Sequence, residues 1–330
     1  MNSISIRTLA TTLAAAGLLG LAPQGAAAQA ADTYPDKPIH LVVPFPPGGA
    51  VDILGRLIGQ HLGEQLNQSV VVENRAGANG TIAYEYTAKS APDGYTILIG
   101  SNGLATNTAL YPSRTFSELD SLAPIAKLGS SPLIMMVPSG SAYQSLKDVT
   151  DAAKAAPGKV TYASAGSGSS AHLGSEMLKS VTGTDMLHIP YKGGAPAIID
   201  LTAGRVSFML LDPLQALPQV ESGRLRAIMV ASPERLALIP SVPSATDAGY
   251  PKLEASVWWG FVAPKDTPRP IIDKLNKQIN AALAKPDVQK KLASMGVTVA
   301  SGSADDFGAF LHGQAATWGK LIKSAHISNE

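Results

Sequence analysis

The chain has 330 residues, with 26 basic and 25 acidic side chains, 5% aromatic residues and no cysteine. Without cysteine there are no disulfides, no thiol catalysis, no cysteine–metal sites and no lipid anchor on an N-terminal cysteine. Few aromatics and a formal net charge of +1 give no electrostatic or stacking reason to prefer a nucleic acid or an anionic membrane.

Residues 1–30 read as a secretory signal peptide. Arg7 is the positive start, Leu9 to Leu21 the apolar stretch, and Ala26, Ala27, Ala28, Gln29 and Ala30 the small-residue end, with cleavage after Ala28 or Ala30. Arg7 is the only charge in that segment, so the remainder carries 25 charges of each sign and is neutral. No later segment has the roughly 20 apolar residues that cross a bilayer. A soluble periplasmic protein is expected.

The elements then follow in chain order. Ile39 to Val43 reads as a buried strand ending in the corner "PFPPGG". Leu54, Ile58, Leu62 and Leu66 recur every four residues, the pattern of a helix burying one face. Val70 to Val72 is a strand, "ENRAGANG" a loop, Thr81 to Lys89 a helix, and Tyr95 to Ile99 a strand. This β-α-β-α-β order predicts a parallel sheet with helices on its faces. A second series begins with the apolar "LIMMV". Ser145 with Asp148 reads as a capping box for a helix to about Ala156. The strands "KVTYAS", "MLHIP", "VSFMLL" and "RLRAIMVA" alternate with helices. The strand-like "WWGFVAP" follows. Ile272, Leu275, Ile279 and Leu283 mark a helix, Pro286 opens another, and Ala304 to about Ser324 forms the last.

The length suits two domains. The C-terminal elements add little new sheet, so they are expected to pack on the first unit. That gives lobe 1 as 31–125 with 256–330, and lobe 2 as an inserted 126–255. The chain is expected to cross near Ala123 to Lys127 and again near Ala255 to Val262.

In open parallel sheets, ligands bind beyond the carboxyl ends of the strands, where helix N-termini point. Those ends are Pro44 to Asp52, Glu73 to Gly80, Gly100 to Thr106, Ser164 to His172, Tyr191 to Gly194, and Asp212-Pro213. Glycine lets backbone N–H groups approach a ligand, and helix N-termini favour negative charge. Such loops suit a small carboxylate. Each also has a structural reading: "PFPPGG" and "YKGG" as plain turns, Ser169 or Ser170 as a helix cap, Asp212 as a cap. Ser167 or Ser169 near His172 raises a hydrolase, but no G-x-S-x-G elbow and no orienting acid accompany them. The histidine spacings give no zinc motif, and there is no P-loop or G-x-G-x-x-G. No metal, cofactor or catalytic residue is expected.

The segments "YPDKPIHLVVPFPPGGAVDILGRLIGQHL", "VVENRAGANGTIA", "APDGYTILIGSNG", "VTYASAGSGSSAHLGSEML", "IPYKGGAPAIIDLTAGRVSFMLLDP" and "WWGFVAPKDTPRPIIDKLN" follow in order. Together they closely resemble the Bug family, the solute receptors of tripartite tricarboxylate transporters. The resemblance covers nearly the whole chain from about Tyr34. It implies an α/β, two-lobed periplasmic-binding-protein fold (a Venus flytrap, type II-like, with two chain crossovers). It implies a carboxylate ligand, delivery to integral membrane transporter subunits, and a monomer that is not an enzyme. A sensor kinase is the alternative partner. The site residues it implies are Phe45, Pro46, Gly48, Gly49, Asp52, Ser101 and Asn102 in lobe 1. In lobe 2 they are Ser164, Gly166, Ser169, His172, Tyr191, Lys192, Gly193 and Asp212. Val51 stands where members of the family often carry a hydroxyl residue. An ionised Asp212 facing the ligand would favour an amino group and repel a second carboxylate; if it caps a helix, that consequence lapses.

Overall fold

The computed structural model describes residues 33–324 and 327. The signal-peptide reading of residues 1–30 lies outside them. Among the described residues no helix is long and apolar enough to cross a membrane.

The first part of the chain runs β1 (Ile39–Val43), α1 (Ala50–Leu66), β2 (Val70–Asn74), a 3₁₀ turn (Ala78–Gly80), α2 (Thr81–Ala88), β3 (Thr96–Gly100), α3 (Gly103–Leu110), α4 (Glu118–Ser121) and β4 (Leu122–Pro132). The second part runs β5 (Ile134–Pro138), α5 (Leu146–Ala155), β6 (Thr161–Ser164), α6 (Ser170–Thr182), β7 (Leu187–Pro190), α7 (Gly194–Thr202), β8 (Phe208–Leu211), α8 (Pro213–Glu221) and β9 (Leu225–Val230). The last part runs β10 (Ser256–Pro264), α9 (Arg269–Leu283), α10 (Pro286–Ser294), β11 (Thr298–Val299) and α11 (Ala304–Ser324).

Two sheets result. One has the order β11-β4-β10-β3-β1-β2, the other β7-β6-β8-β5-β9. The architecture is two-lobed α/β, as expected. β1 lies parallel between β2 and β3, and Leu41, Val42 and Val43 are fully buried because helices cover both faces. α1 buries Leu54, Ile58 and Leu62 on the sheet and ends where Asn67 turns left-handed. Ser145 and Asp148 form the capping box of α5.

Two expectations change. Neither sheet is purely parallel: β10 runs antiparallel to β3 and β4, and β5 antiparallel to β8 and β9. The segments expected as crossings are long paired strands of the first sheet, running from Leu122↔Pro264 to Ser256↔Pro132 with register shifts at Trp259/Gly260 and Phe261/Val262. Pro124, Gly129 and Pro132 interrupt the strand pattern of β4, which hid it. In β10, Trp258, Trp259 and Phe261 are buried at the centre of that sheet, so the C-terminal region does supply new strands.

The chain changes sheet immediately after Pro132 and returns immediately before Ser256. At this point Leu133 N–H donates to Ala255 O (2.9 Å), Ala255 N–H to Ala231 O (3.0 Å), and Ala231 N–H to Leu133 O (2.8 Å). The two connections therefore lie side by side.

Candidate ligand-binding site

A cavity of about 480 Å³ opens between the two sheets. Five residues that precede helices line it: Gly49 before α1, Asn102 before α3, Ser169 before α6, Gly193 before α7 and Asp212 before α8. Two come from the first sheet and three from the second. Each helix start leaves N–H groups without an intrahelical partner and carries partial positive charge. Gly49 and Gly193 make no side-chain cap, so α1 and α7 direct these donors outward, whereas at α3 the Leu104 and Ala105 N–H groups bond Ser101 O and Asn102 O (both 2.9 Å). Gly193 has φ +121°, which a side chain tolerates poorly, and a Cβ there would lie 3.9 Å from Pro46 of the opposite lobe. The glycine corners face one another.

The first-lobe corner is held from behind. Asp52 is buried, and its carboxylate accepts Gly48 N–H (3.0 Å), Arg56 Nε–H (3.0 Å) and Asn74 Nδ2–H (2.9 Å). Asn74 also donates to Phe45 O (2.9 Å). Burial raises the Asp52 pKa, but the bonds from Arg56, Gly48 and Asn74 outweigh it and hold the carboxyl below its usual range. Asp52 thus does not line the cavity. It clamps Phe45, Pro46, Gly48 and Gly49, which do. Ser101 and Asn102 also line the cavity. The Asn102 side chain bonds Ser256 O (3.2 Å) and the Trp258 N–H (3.3 Å), tying α3 to β10.

In the second lobe, Ser169 lines the cavity and caps α6 by accepting His172 N–H (3.4 Å). His172 points inward, its Nδ1 accepting Gly168 N–H (3.0 Å). Its ring stacks on His188 at 3.9 Å between centroids. Burial pushes His172 down to about 4 and His188 to about 3. Ser164 is likewise internal: its hydroxyl lies 2.7 Å from His188 Nε2, donates to Gly166 O (3.0 Å) and accepts Gly166 N–H (3.1 Å). Ser164 and His172 therefore suspend the loop and do not face the main cavity. The Ser169–His172 pair is a helix cap, not a nucleophile and base, because the His172 Nδ1 lone pair is already engaged by Gly168.

Gly166 and Tyr191 line an adjoining chamber of about 470 Å³, which shares Phe45, Pro46, Asn79, Ala165, Lys192 and Gly193 with the first. The Tyr191 hydroxyl donates to Asp200 (2.7 Å). Lys192 is exposed at the border of the two chambers. Asp212 both caps α8, Oδ1 accepting Gln215 N–H (3.1 Å), and lines the cavity. Burial, only partly offset by backbone N–H groups, raises it to about 6.

Other lining residues carried no separate sequence signal. Trp259 and Val257 come from β10, and Gln215 and Gln219 sit one helical turn apart on α8. Asn79 comes from the "ENRAGANG" loop. The α8 pair follows from the i, i+4 spacing beyond a cavity-facing Asp212. Trp259 needed the sheet order.

Two apolar seams join the lobes beside the cavity. Leu110 of α3, Leu173 of α6, and Trp318 and Ile322 of α11 form one cluster. A Cβ on Gly168 (φ +78°) would collide with Leu110 and approach Asn79 Nδ2 to 3.1 Å. On the other side, Gly296 packs against Pro213.

Comparison with known proteins agrees with this geometry. The family TctC, described as the tripartite tricarboxylate transporter family receptor, matches residues 54–327. BugT of Bordetella pertussis is 39% identical over 300 residues, covering 90% of this chain and 92% of BugT. The solved periplasmic binding protein BugD superposes with a TM-score of 0.83 at 33% identity, over 89% of this chain and 99% of BugD. The R. palustris protein Rpa4515, solved with adipate, gives 0.85 at 33%, over 89% and 99%. The chain therefore belongs to the tripartite tricarboxylate transporter receptor family and has its two-lobed periplasmic-binding-protein fold.

Proposed function

We propose that this protein is a periplasmic receptor that traps a small carboxylate between its lobes and delivers it to the membrane subunits of a tripartite transporter. It acts as a binding protein without catalysis and as a monomer. The observation that carries the reading is the convergence of five helix starts on one interlobe cavity. Uncapped N–H groups at α1 and α7 supply carboxylate donors without an arginine, and ordered water can extend them at little cost. The lobes divide at the crossing, with the chain up to Pro132 and from Ser256 onward in one and Leu133 to Ala255 in the other. Closure follows from bending at the paired connections beside Leu133 and Ala255. A ligand that touches both lobes favours the closed form because only differential contact shifts the equilibrium. Phe45, Pro46, Gly48, Gly49, Ser101, Asn102, Ser169, Lys192, Gly193 and Asp212 form the contact surface, with Asp52, Ser164 and His172 supporting it.

Thermal shift against a panel of organic acids, acidic amino acids and aromatic carboxylates tests this. A ligand at one hundred times its Kd stabilises by about 2.7 kcal/mol. A panel with no shift at millimolar acid refutes the reading. Co-purification of the ligand-loaded receptor with its transporter subunits tests delivery separately.

A further inference from the structure

The loop between β2 and α2 is strained where it meets the cavity. Gly77, Ala78, Asn79 and Gly80 have φ of +137°, +47°, +50° and +89°. Ala78 and Asn79 are not glycines, and left-handed backbone in adjacent non-glycine residues persists only where the surroundings impose it. Here they do. A Cβ on Gly77 would strike Ile82, one on Gly80 the Tyr84 ring, and one on Gly103 would lie 2.7 Å from Asn79 O. Asn107 of α3 is fully buried, and its Nδ2 faces Asn79 O (3.3 Å), Thr81 Oγ1 (3.1 Å) and Glu118 Oε1 (3.3 Å). Its amide hydrogens are thereby committed and its Oδ1 is left to accept, a bond that Asn79 Nδ2–H supplies (2.9 Å). Arg114 holds Thr81 (3.3 Å) and Glu118 (3.2 Å) from the other side. This network fixes which way the Asn79 carboxamide points. Its second N–H and its Oδ1 have no further partner among the described residues, and Asn79 lines both chambers of the cleft.

We propose that the Asn79 carboxamide is a direct ligand contact that anchors the acid to the first lobe. The contact rests on the receptor reading and gives its cleft a neutral side-chain donor beside the backbone N–H groups of α1 and α7. The free N–H bonds a carboxylate oxygen without the desolvation cost of a buried cation. Oδ1 accepts from a hydroxyl or amine next to it. Setting the side chain in advance, through a strained and braced loop, avoids the ordering cost that a long flexible donor brings to binding. Asn79 also faces the second lobe, since a Cβ on Gly168 would approach its Nδ2 to 3.1 Å. An acid bonded to Asn79 therefore lies where closure encloses it.

Calorimetry on the wild type, Asn79→Ala and Asn79→Gly tests the contact. The probe is the acid that stabilises the wild type most in a thermal-shift panel containing succinate, adipate, citrate, L-glutamate, benzoate and 4-hydroxybenzoate. Both variants lack the carboxamide, but glycine relieves the left-handed backbone and alanine keeps its strain. Asn79→Gly should therefore unfold at a higher urea concentration than Asn79→Ala, while both bind the probe at least fivefold more weakly than the wild type. A folded variant that binds within fivefold of the wild type overturns the proposal; if only Asn79→Gly is weakened, loop stiffness and not the carboxamide is what the ligand needs. A second measurement does not depend on the variants folding. In isotope-labelled wild type, the Asn79 side-chain amide signals should move when the probe is added, and unmoved signals overturn the proposal. If no acid of the panel stabilises the wild type, the receptor reading itself fails and the contact falls with it.

Discussion

Replacing Gly168 with alanine separates binding from folding. Gly168 has φ +78°, so any side chain there costs roughly 1–2 kcal/mol of fold stability. The added methyl also overlaps the end of Leu110 in the opposite lobe and sits 3.3 Å from its Cγ, inside the roughly 3.5–4.0 Å of ordinary carbon contact. Overpacking of this kind costs about 1–3 kcal/mol, but only while the lobes are together. Gly168→Ala should therefore lose about 1–2 kcal/mol in ligand-free urea unfolding. It should lose a further 1–3 kcal/mol in ligand binding, or about 5- to 150-fold in Kd. Adding Leu110→Ala removes the obstructing methyls and should restore much of the affinity while lowering stability. A double-mutant cycle measures that coupling. Wild-type Kd in Gly168→Ala, measured with the panel acid giving the largest shift, would show that the Gly168–Leu110 seam is not closed in the bound state.

Three further outcomes are expected. Asp212 has its folded pKa raised from 3.8 to about 6, so its contribution is full below the unfolded value and lost as pH rises through 6. Asp212→Asn should accordingly stabilise the ligand-free protein by about 2–3 kcal/mol at pH 7 and by nothing near pH 4, and equal urea midpoints at pH 7 would contradict this. His172 and His188 are lowered from 6.5 to about 4 and about 3 by burial first. Their stabilisation is complete above 6.5 and falls away in acid, by about 2 kcal/mol per histidine at pH 5; Asp212, of opposite sign, offsets roughly 1 kcal/mol, and urea titrations at pH 7 and 5 check the balance. Asp52→Ala leaves Gly48, Arg56 and Asn74 without their acceptor and should cost about 2–3 kcal/mol, with weaker acid binding by calorimetry because the corner loses its clamp; unaltered affinity would remove Asp52 from the support of the site.

Local pattern carried much of the fold. The four-residue repeat of Leu54, Ile58 and Leu62 and the box at Ser145 and Asp148 are short-range signals, and both appear in the structure. β4 was hidden because its pairing with β10 joins residues more than one hundred positions apart, while its own prolines speak against a strand. The candidate site was legible as loops and less so as side chains. Strand ends located the helix starts, but not which groups turn inward. Ser164 and His172 flank such a loop and face a buried histidine stack, while Trp259 lies mid-strand and reaches the cavity. Those directions depend on packing between elements far apart in the chain, which no local spacing encodes.

The side-by-side departure of the chain at Pro132 and its return at Ser256 has an engineering consequence. These two residues already face each other in register, so a short hairpin turn could join them and delete everything between. The remaining half would keep its six-stranded sheet unbroken. The same junction could accept the inserted half of a relative, making chimaeras in which one half sets anchoring and the other sets which acid is recognised.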